Sequence, residues 1–215
     1  MNLNAALSAA HALSAAHALP VGHALPVGHA LSAGHAGLHD DPPAGPFWVF
    51  AYGSLIWNPG FAHVARTPAR ICGYHRRFCI RSTRYRGTPD RPGLVLGLDR
   101  GGSCRGVAFL VAPERAAETL AYLDRREIPD PVYRRRMLPV QLAGGARGSA
   151  LTYVARRDWP GYCRLPANEV SRMIDQGHGA MGSNREYLLR TLDGLRDAGI
   201  ADPALERLAK QLPRR

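Results

Sequence analysis

Between Phe47 and Ala112 four apolar runs follow one another, separated by Gly- and Pro-rich turns. They are Phe47–Tyr52, Arg70–Arg81 ("RICGYHRRFCIR"), Gly93–Asp99 ("GLVLGLD") and Arg105–Ala112 ("RGVAFLVA"). Runs of this length and spacing, bounded by turn residues, predict a β-rich body. Pro113 then opens a helix, because proline suits the first helical turn, and Ala117, Leu120, Ala121 and Leu123 give it one apolar face ending near Glu127-Ile128-Pro129. Two further strands are predicted over Arg136–Leu142 and Ser149–Ala155, and helices over Pro166–Gln176, Asn184–Ala198 and Pro203–Leu212. The order predicts an α+β fold, a mixed β-barrel or curved sheet with flanking helices.

The chain divides in two. Residues 1–45 form a tail and linker: a hexapeptide repeat ("SAAHAL SAAHAL PVGHAL PVGHAL SAGHAG") puts His11, His17, His23, His29 and His35 in register, and "DDPPAGP" follows. A helix turns about 100° per residue, so a six-residue period scatters these histidines over three stripes. An extended chain would align them, but no acidic or Cys ligand joins them. The segment therefore reads as low-complexity sequence, with no metal site expected. Residues 46–215 have the texture of one folded domain, which hydrophobic residues at 46% of the chain can furnish with a core.

Lys and Arg outnumber Asp and Glu by 28 to 17, and a single lysine, Lys210, stands among the arginines. Such a surplus suits an anionic partner, either a small acid or a nucleic acid. The arginines do not interleave with aromatics as a base-stacking platform would, so no nucleic-acid partner is expected. The four cysteines make no C-x-x-C pair, which fits a reduced, cytoplasmic protein. No apolar run approaches the ~20 residues of a membrane helix, and no basic and apolar leader opens the chain.

The stretch "FWVFAYGSLIWNPGF", Phe47–Phe61, concentrates the aromatics of a chain that has few. Its apolar run stops at Tyr52-Gly53-Ser54. Gly53 permits either positive φ or close approach by another group. The amides after it can converge on an anion or a carbonyl oxygen, with the Ser54 hydroxyl beside them.

This stretch closely resembles the opening of the ChaC-type γ-glutamylcyclotransferases. The likeness continues in order through "RGTPDRPGLVLGL" (86–98), "YLDRRE" (122–127) and "GSNREYLLRTLDGLRDAGIADPALERL" (182–208). The resemblance implies a γ-glutamylcyclotransferase-like fold and a reaction. A γ-glutamyl group, usually that of glutathione, cyclises to 5-oxoproline and Cys-Gly leaves. The substrate's α-amine is the nucleophile, so no cofactor is implied. It further implies Glu127 as general acid/base, with Tyr52, Gly53, Ser54 and Leu55 cradling the γ-glutamyl group. Glu118 is a second carboxylate for the substrate ammonium, or a solvated helix residue. Arg86, with Arg81, Arg84 and Arg91 nearby, is a candidate for the glycyl carboxylate, and Tyr133 and Tyr187 complete the candidate pocket.

Glu127 also has a local rationale. At a helix C-terminus the macrodipole opposes negative charge and raises a carboxylate's pKa, while Arg125 and Arg126 push it down. The chain departs from the family in "REIPDPVYRRR", where Pro129, Asp130 and Pro131 replace a Gly-rich step before Tyr133. Alternatives are another γ-glutamyl amine or amino acid as substrate, or a basic, non-catalytic module that binds nucleic acid or a regulatory partner. The expected partner is a small γ-glutamyl peptide, the expected state a monomer, and no membrane partner is expected. Deleting residues 1–44 is predicted to leave 5-oxoproline release from glutathione unchanged, measured as kcat/KM of the shortened and full chains.

Overall fold

The computed structural model describes residues 45–127 and 131–213. The histidine repeat lies outside them, as do Ile128, Pro129 and Asp130 of the departing linker. Every residue of strand β1 (Phe47–Ala51) is buried, as its unbroken apolar sequence requires. β1 runs antiparallel to β3 (Gly93–Val111), from Phe47↔Val111 to Ala51↔Val107. On its other side it runs parallel to β5 (Arg147–Ala155) through Trp48↔Ala150 and Val49↔Leu151. β2 (Ala65–Ser82) pairs antiparallel with β3 and with β4 (Tyr133–Leu142). β4 pairs with β5, so the order β1-β3-β2-β4-β5 closes into a barrel. The Thr152 hydroxyl donates to the Phe50 carbonyl at 3.0 Å across the closing seam.

The fold is thus a closed mixed barrel with helices around it, as the sequence predicts, with one correction. The expected strands Gly93–Asp99 and Arg105–Ala112 are a single strand of 19 residues. "DRGGSC" does not reverse the chain. Gly101 and Gly102 take φ of +102° and +69° and, with Gly73 on β2 at +82°, flank the register slip between Cys72 and Tyr74. Glycines within a strand pattern mark a bulge here, and the ribbon runs on past it.

Helix α1 (Ala116–Glu127) follows a 3₁₀ turn that begins at Pro113. It buries Leu120 and Leu123 and is oriented by Asp124. Asp124 accepts from the Tyr153 hydroxyl at 2.7 Å and from Arg135 at 2.6 Å, which bolts the helix to β5 and β4. Helices α2 (Ala167–Gln176), α3 (Asn184–Asp197) and α4 (Pro203–Gln211) follow, with a two-stranded bridge, β6 (His178–Gly179) and β7 (Gly182–Ser183), before α3. Ser183 caps α3 by accepting from the Glu186 amide at 3.1 Å, which uses the S-x-x-E signature in "SNRE". Asp202 caps α4 at the Leu205 amide, with Pro203 in the first turn.

Asn184, fully buried, joins α3 to the barrel. Its side chain accepts from the Leu94 amide at 2.6 Å and donates to the Leu94 carbonyl at 2.7 Å. A side-chain amide here does what a neighbouring strand would do. Asn184→Ala would leave both backbone groups unpaired in the interior, each costing about 1–3 kcal/mol. Its denaturation midpoint is predicted to fall accordingly, measured by urea unfolding.

Candidate active site

β1 delivers the chain to Tyr52, whose carbonyl accepts from Nε of Arg76 on β2. Arg76 is only 4% exposed; it also pairs with Asp202 at the start of α4 and donates to the Arg105 carbonyl at 2.6 Å. One buried guanidinium therefore fixes the end of β1 against β3 and α4. Beyond it Ser54–Ile56 form a 3₁₀ turn, closed by Ile56 N–H to Gly53 O at 3.0 Å and Asn58 N–H to Ser54 O at 2.9 Å. The amides of Ser54 and Leu55 precede the turn's first internal bond, as the leading donors of any such turn do. Leu55 and Ile56 are buried, and the Trp57 indole donates to Thr191 of α3 at 3.3 Å.

Gly53 has φ of −135°, so close approach, and not left-handed backbone, is what this position requires. A Cβ there would stand 3.1 Å from the Tyr187 hydroxyl and 3.8 Å from Leu96. The loop lies against Tyr187 with no side chain between.

Glu127 ends α1 with its side chain 16% exposed. Burial pushes its carboxyl above the ordinary 4.5, and Arg126 beside it pulls the other way without winning. The Glu127 charge bears on Tyr52, Tyr133 and Tyr187, which are brought together from β1, β4 and α3. Burial raises all three phenols, and Glu127 raises them further, so they remain protonated donors. The Tyr133 hydroxyl donates to the Leu96 carbonyl at 2.8 Å, and the Leu96 amide faces the Tyr187 hydroxyl at 3.4 Å. The outer edge of β3 thereby holds two of the three rings in place.

The turn and the carboxylate are joined by Arg126. Its guanidinium donates to Ser54 Oγ at 3.0 Å and to the Asn58 carbonyl and Tyr122 hydroxyl, each at 2.7 Å. Its Nε stands 3.4 Å from Glu127 Oε1. Arg125, its neighbour, points to solvent.

Most of the residues singled out in the sequence converge here: Tyr52, Gly53, Ser54, Leu55, Glu127, Tyr133 and Tyr187. Glu118 does not join them. Its side chain is 72% exposed and pairs with Arg115 at 2.9 Å one turn back, on the outer face of α1. Arg86 is buried; it stacks on the Tyr187 ring at 5.3 Å and donates to the Ser183 carbonyl at 3.2 Å. It braces the Tyr187 ring and ties it to the start of α3. Sequence reasoning missed Arg76 and the bridging role of Arg126. The four-residue spacing of Tyr122 and Arg126 on one helix face was a usable signal for the second. Arg76, one arginine of many on β2, carried none.

A solved structure with the same build is that of a yeast γ-glutamyl cyclotransferase specific to glutathione. It matches with a TM-score of 0.70 over 77% of this chain and 94% of that one, at 26% identity. The fold is therefore of the γ-glutamylcyclotransferase-like class. A family model described as ChaC-like protein matches residues 47–215, and the chain belongs to that family. Relatives include the glutathione-specific γ-glutamylcyclotransferase of Escherichia coli, 32% identical over 78% of this chain and 73% of that protein. The human glutathione-specific γ-glutamylcyclotransferase 1 is 37% identical over 74% of this chain and 73% of its own length. A Schizosaccharomyces pombe relative of the same specificity is 34% identical over 72% and 85%.

Gly53→Ala is predicted to destabilise the protein by about 1–3 kcal/mol, the usual cost of overpacking. Because the added methyl meets the Tyr187 hydroxyl, Tyr187→Phe should recover part of that loss. A double-mutant cycle of unfolding free energies measures the coupling, expected to be favourable in the pair.

Proposed function

We propose that this chain cleaves glutathione by cyclising its γ-glutamyl group, releasing 5-oxoproline and Cys-Gly. One observation carries the reading: a largely buried carboxylate, Glu127, stands among neutral phenols and is linked through Arg126 to a turn with leading amides. A raised carboxyl pKa suits a group that must take and return a proton near neutral pH.

Glu127 accepts a proton from the substrate's α-ammonium. The freed amine attacks the γ-carbonyl carbon, forming the new C–N bond of the five-membered ring. Charge grows on the carbonyl oxygen, and the amides of Ser54 and Leu55 are the donors placed to meet it. The amide C–N bond then breaks as Glu127 gives its proton to the departing cysteinyl nitrogen; ionised again, it takes the second proton from the ring nitrogen, leaving the lactam N–H, and passes it to the freed amine of Cys-Gly. No water is consumed and no protein nucleophile is used. Tyr52, Tyr133 and Tyr187 offer hydroxyl donors and a shaped wall for the glutamyl chain, holding it curled for attack. In this reading Arg86 orders Tyr187, and Glu118 takes no part. Residues 46–215 form the catalytic unit, which works as a cytoplasmic monomer; among the described residues the cysteines are free, as a reducing compartment would keep them. No described helix is long and apolar enough to cross a membrane.

Incubation with reduced glutathione is expected to yield 5-oxoproline and Cys-Gly in equal amounts, followed by chromatography. Glu127→Gln should lower kcat about 10²–10⁴-fold, the usual contribution of a positioned acid/base. The same substitution has a stability signature. A carboxyl whose folded pKa is raised contributes stability at low pH that is lost as pH climbs through the folded value. Unfolding free energies of wild type and Glu127→Gln should therefore move in favour of the variant as pH rises from the ordinary carboxyl value of 4.5.

A further inference from the structure

The geometry points to Arg126 as the positioning residue that couples the substrate turn to the proton-transferring carboxylate; this rests on the cyclotransferase reading above. One guanidinium spans both partners. It binds the first residue of the turn through Ser54 Oγ and the chain two residues past the turn through the Asn58 carbonyl, at 3.0 and 2.7 Å. The turn cannot open at either end without breaking one of these bonds.

Tyr122 backs the clamp from the same helix face. Its hydroxyl accepts from Arg126 at 2.7 Å, and its ring lies 5.9 Å from the guanidinium carbon. The loop makes room for that hydroxyl with Gly60, where a Cβ would stand 1.9 Å from the Tyr122 oxygen and φ is +71°. Glycine after Asn58-Pro59 thus belongs to the same device. Planar, forked donors are what this arrangement needs. A lysine ammonium carries the charge but cannot reach three acceptors in one plane.

The contact with Glu127 differs in kind. At 3.4 Å it is longer than Arg126's other bonds, and burial still outweighs it at the carboxyl. Arg126 limits the rise in Glu127's pKa without capturing the carboxylate. The residue thus has two separable effects, one on loop geometry and one on proton affinity.

Substitutions separate them. Arg126→Ala should lower kcat/KM on glutathione on the order of 10²-fold, the scale of a small misplacement of reacting groups. It should also move the acid limb of the pH–rate profile to higher pH, because removing a nearby cation raises a carboxyl's pKa. Added guanidinium should restore part of the lost rate. Arg126→Lys keeps the charge and loses the fork; its kcat should fall while the acid limb stays near that of wild type, and it serves if the alanine variant does not fold. Arg125→Ala, altered at an exposed neighbour, should retain wild-type kcat/KM. A folded Arg126→Ala with wild-type kcat/KM would overturn the proposal. So would lost rate with an unmoved acid limb and no rescue. Wild-type protein that forms no 5-oxoproline would instead count against the cyclotransferase reading. Carbon-13 titration of labelled Glu127 still tests the coupling in that case: an upward shift in Arg126→Ala supports it, and an unchanged midpoint overturns it.

Discussion

The outer edge of β3 between Leu94 and Leu96 sets the terms for the rest of the molecule. Buried backbone groups must be paired, and among the described residues no strand pairs with this part of the edge. Side chains meet the need: Asn184 serves both groups of Leu94, Tyr133 serves the Leu96 carbonyl, and the Tyr187 hydroxyl faces the Leu96 amide. Satisfying the barrel's backbone therefore brings α3 and the start of β4 to one place. The rings gathered there are those that face Glu127. The same hydrogen bonds serve the barrel backbone and hold these rings, so the rings cannot move without exposing unpaired groups of the sheet.

Electrostatics within that enclosure is a contest in which burial prevails. Glu127 loses solvation at the end of α1, and a single guanidinium at 3.4 Å does not compensate. The same guanidinium is largely engaged by neutral acceptors on the turn, which leaves less of it for the carboxylate. Arg76 shows the opposite balance. Its partner Asp202 and two carbonyls satisfy it, and it acts as a bolt beneath Tyr52. Two arginines, each in an Arg-Arg pair, thus make different connections, one fixing the end of β1 and one linking the turn to Glu127.

Much of the fold was legible. Apolar runs with Gly/Pro breaks identified the strands, and Pro113 marked a helix start by the local chemistry of the first turn. The misreading at 99–105 is instructive. Two adjacent glycines usually reverse a chain, but β2 offered a partner on both sides of them, with Gly73 to match, and pairing carried the strand through. At the site, Tyr52–Leu55 and Glu127 were singled out by the family resemblance, with a local rationale in Gly53 and in the helix end that carries the carboxylate. Glu118 matched by type alone. Its position on α1 turns it outward to Arg115, and only the docking of that helix through Asp124 decides which face looks inward.

By itself the sequence determined the strand and helix inventory, the break after β1 and a carboxylate at a helix end, because each follows from contacts within a few residues along the chain. Tertiary structure decided the rest. It selected close packing over left-handed backbone at Gly53 by placing Tyr187 against it. It chose Arg126 over Arg125 as the bridge, and sent Arg86 behind a ring. These outcomes depend on groups separated by tens of residues. Which of many arginines is buried is settled by the acceptors that the closed barrel brings within reach.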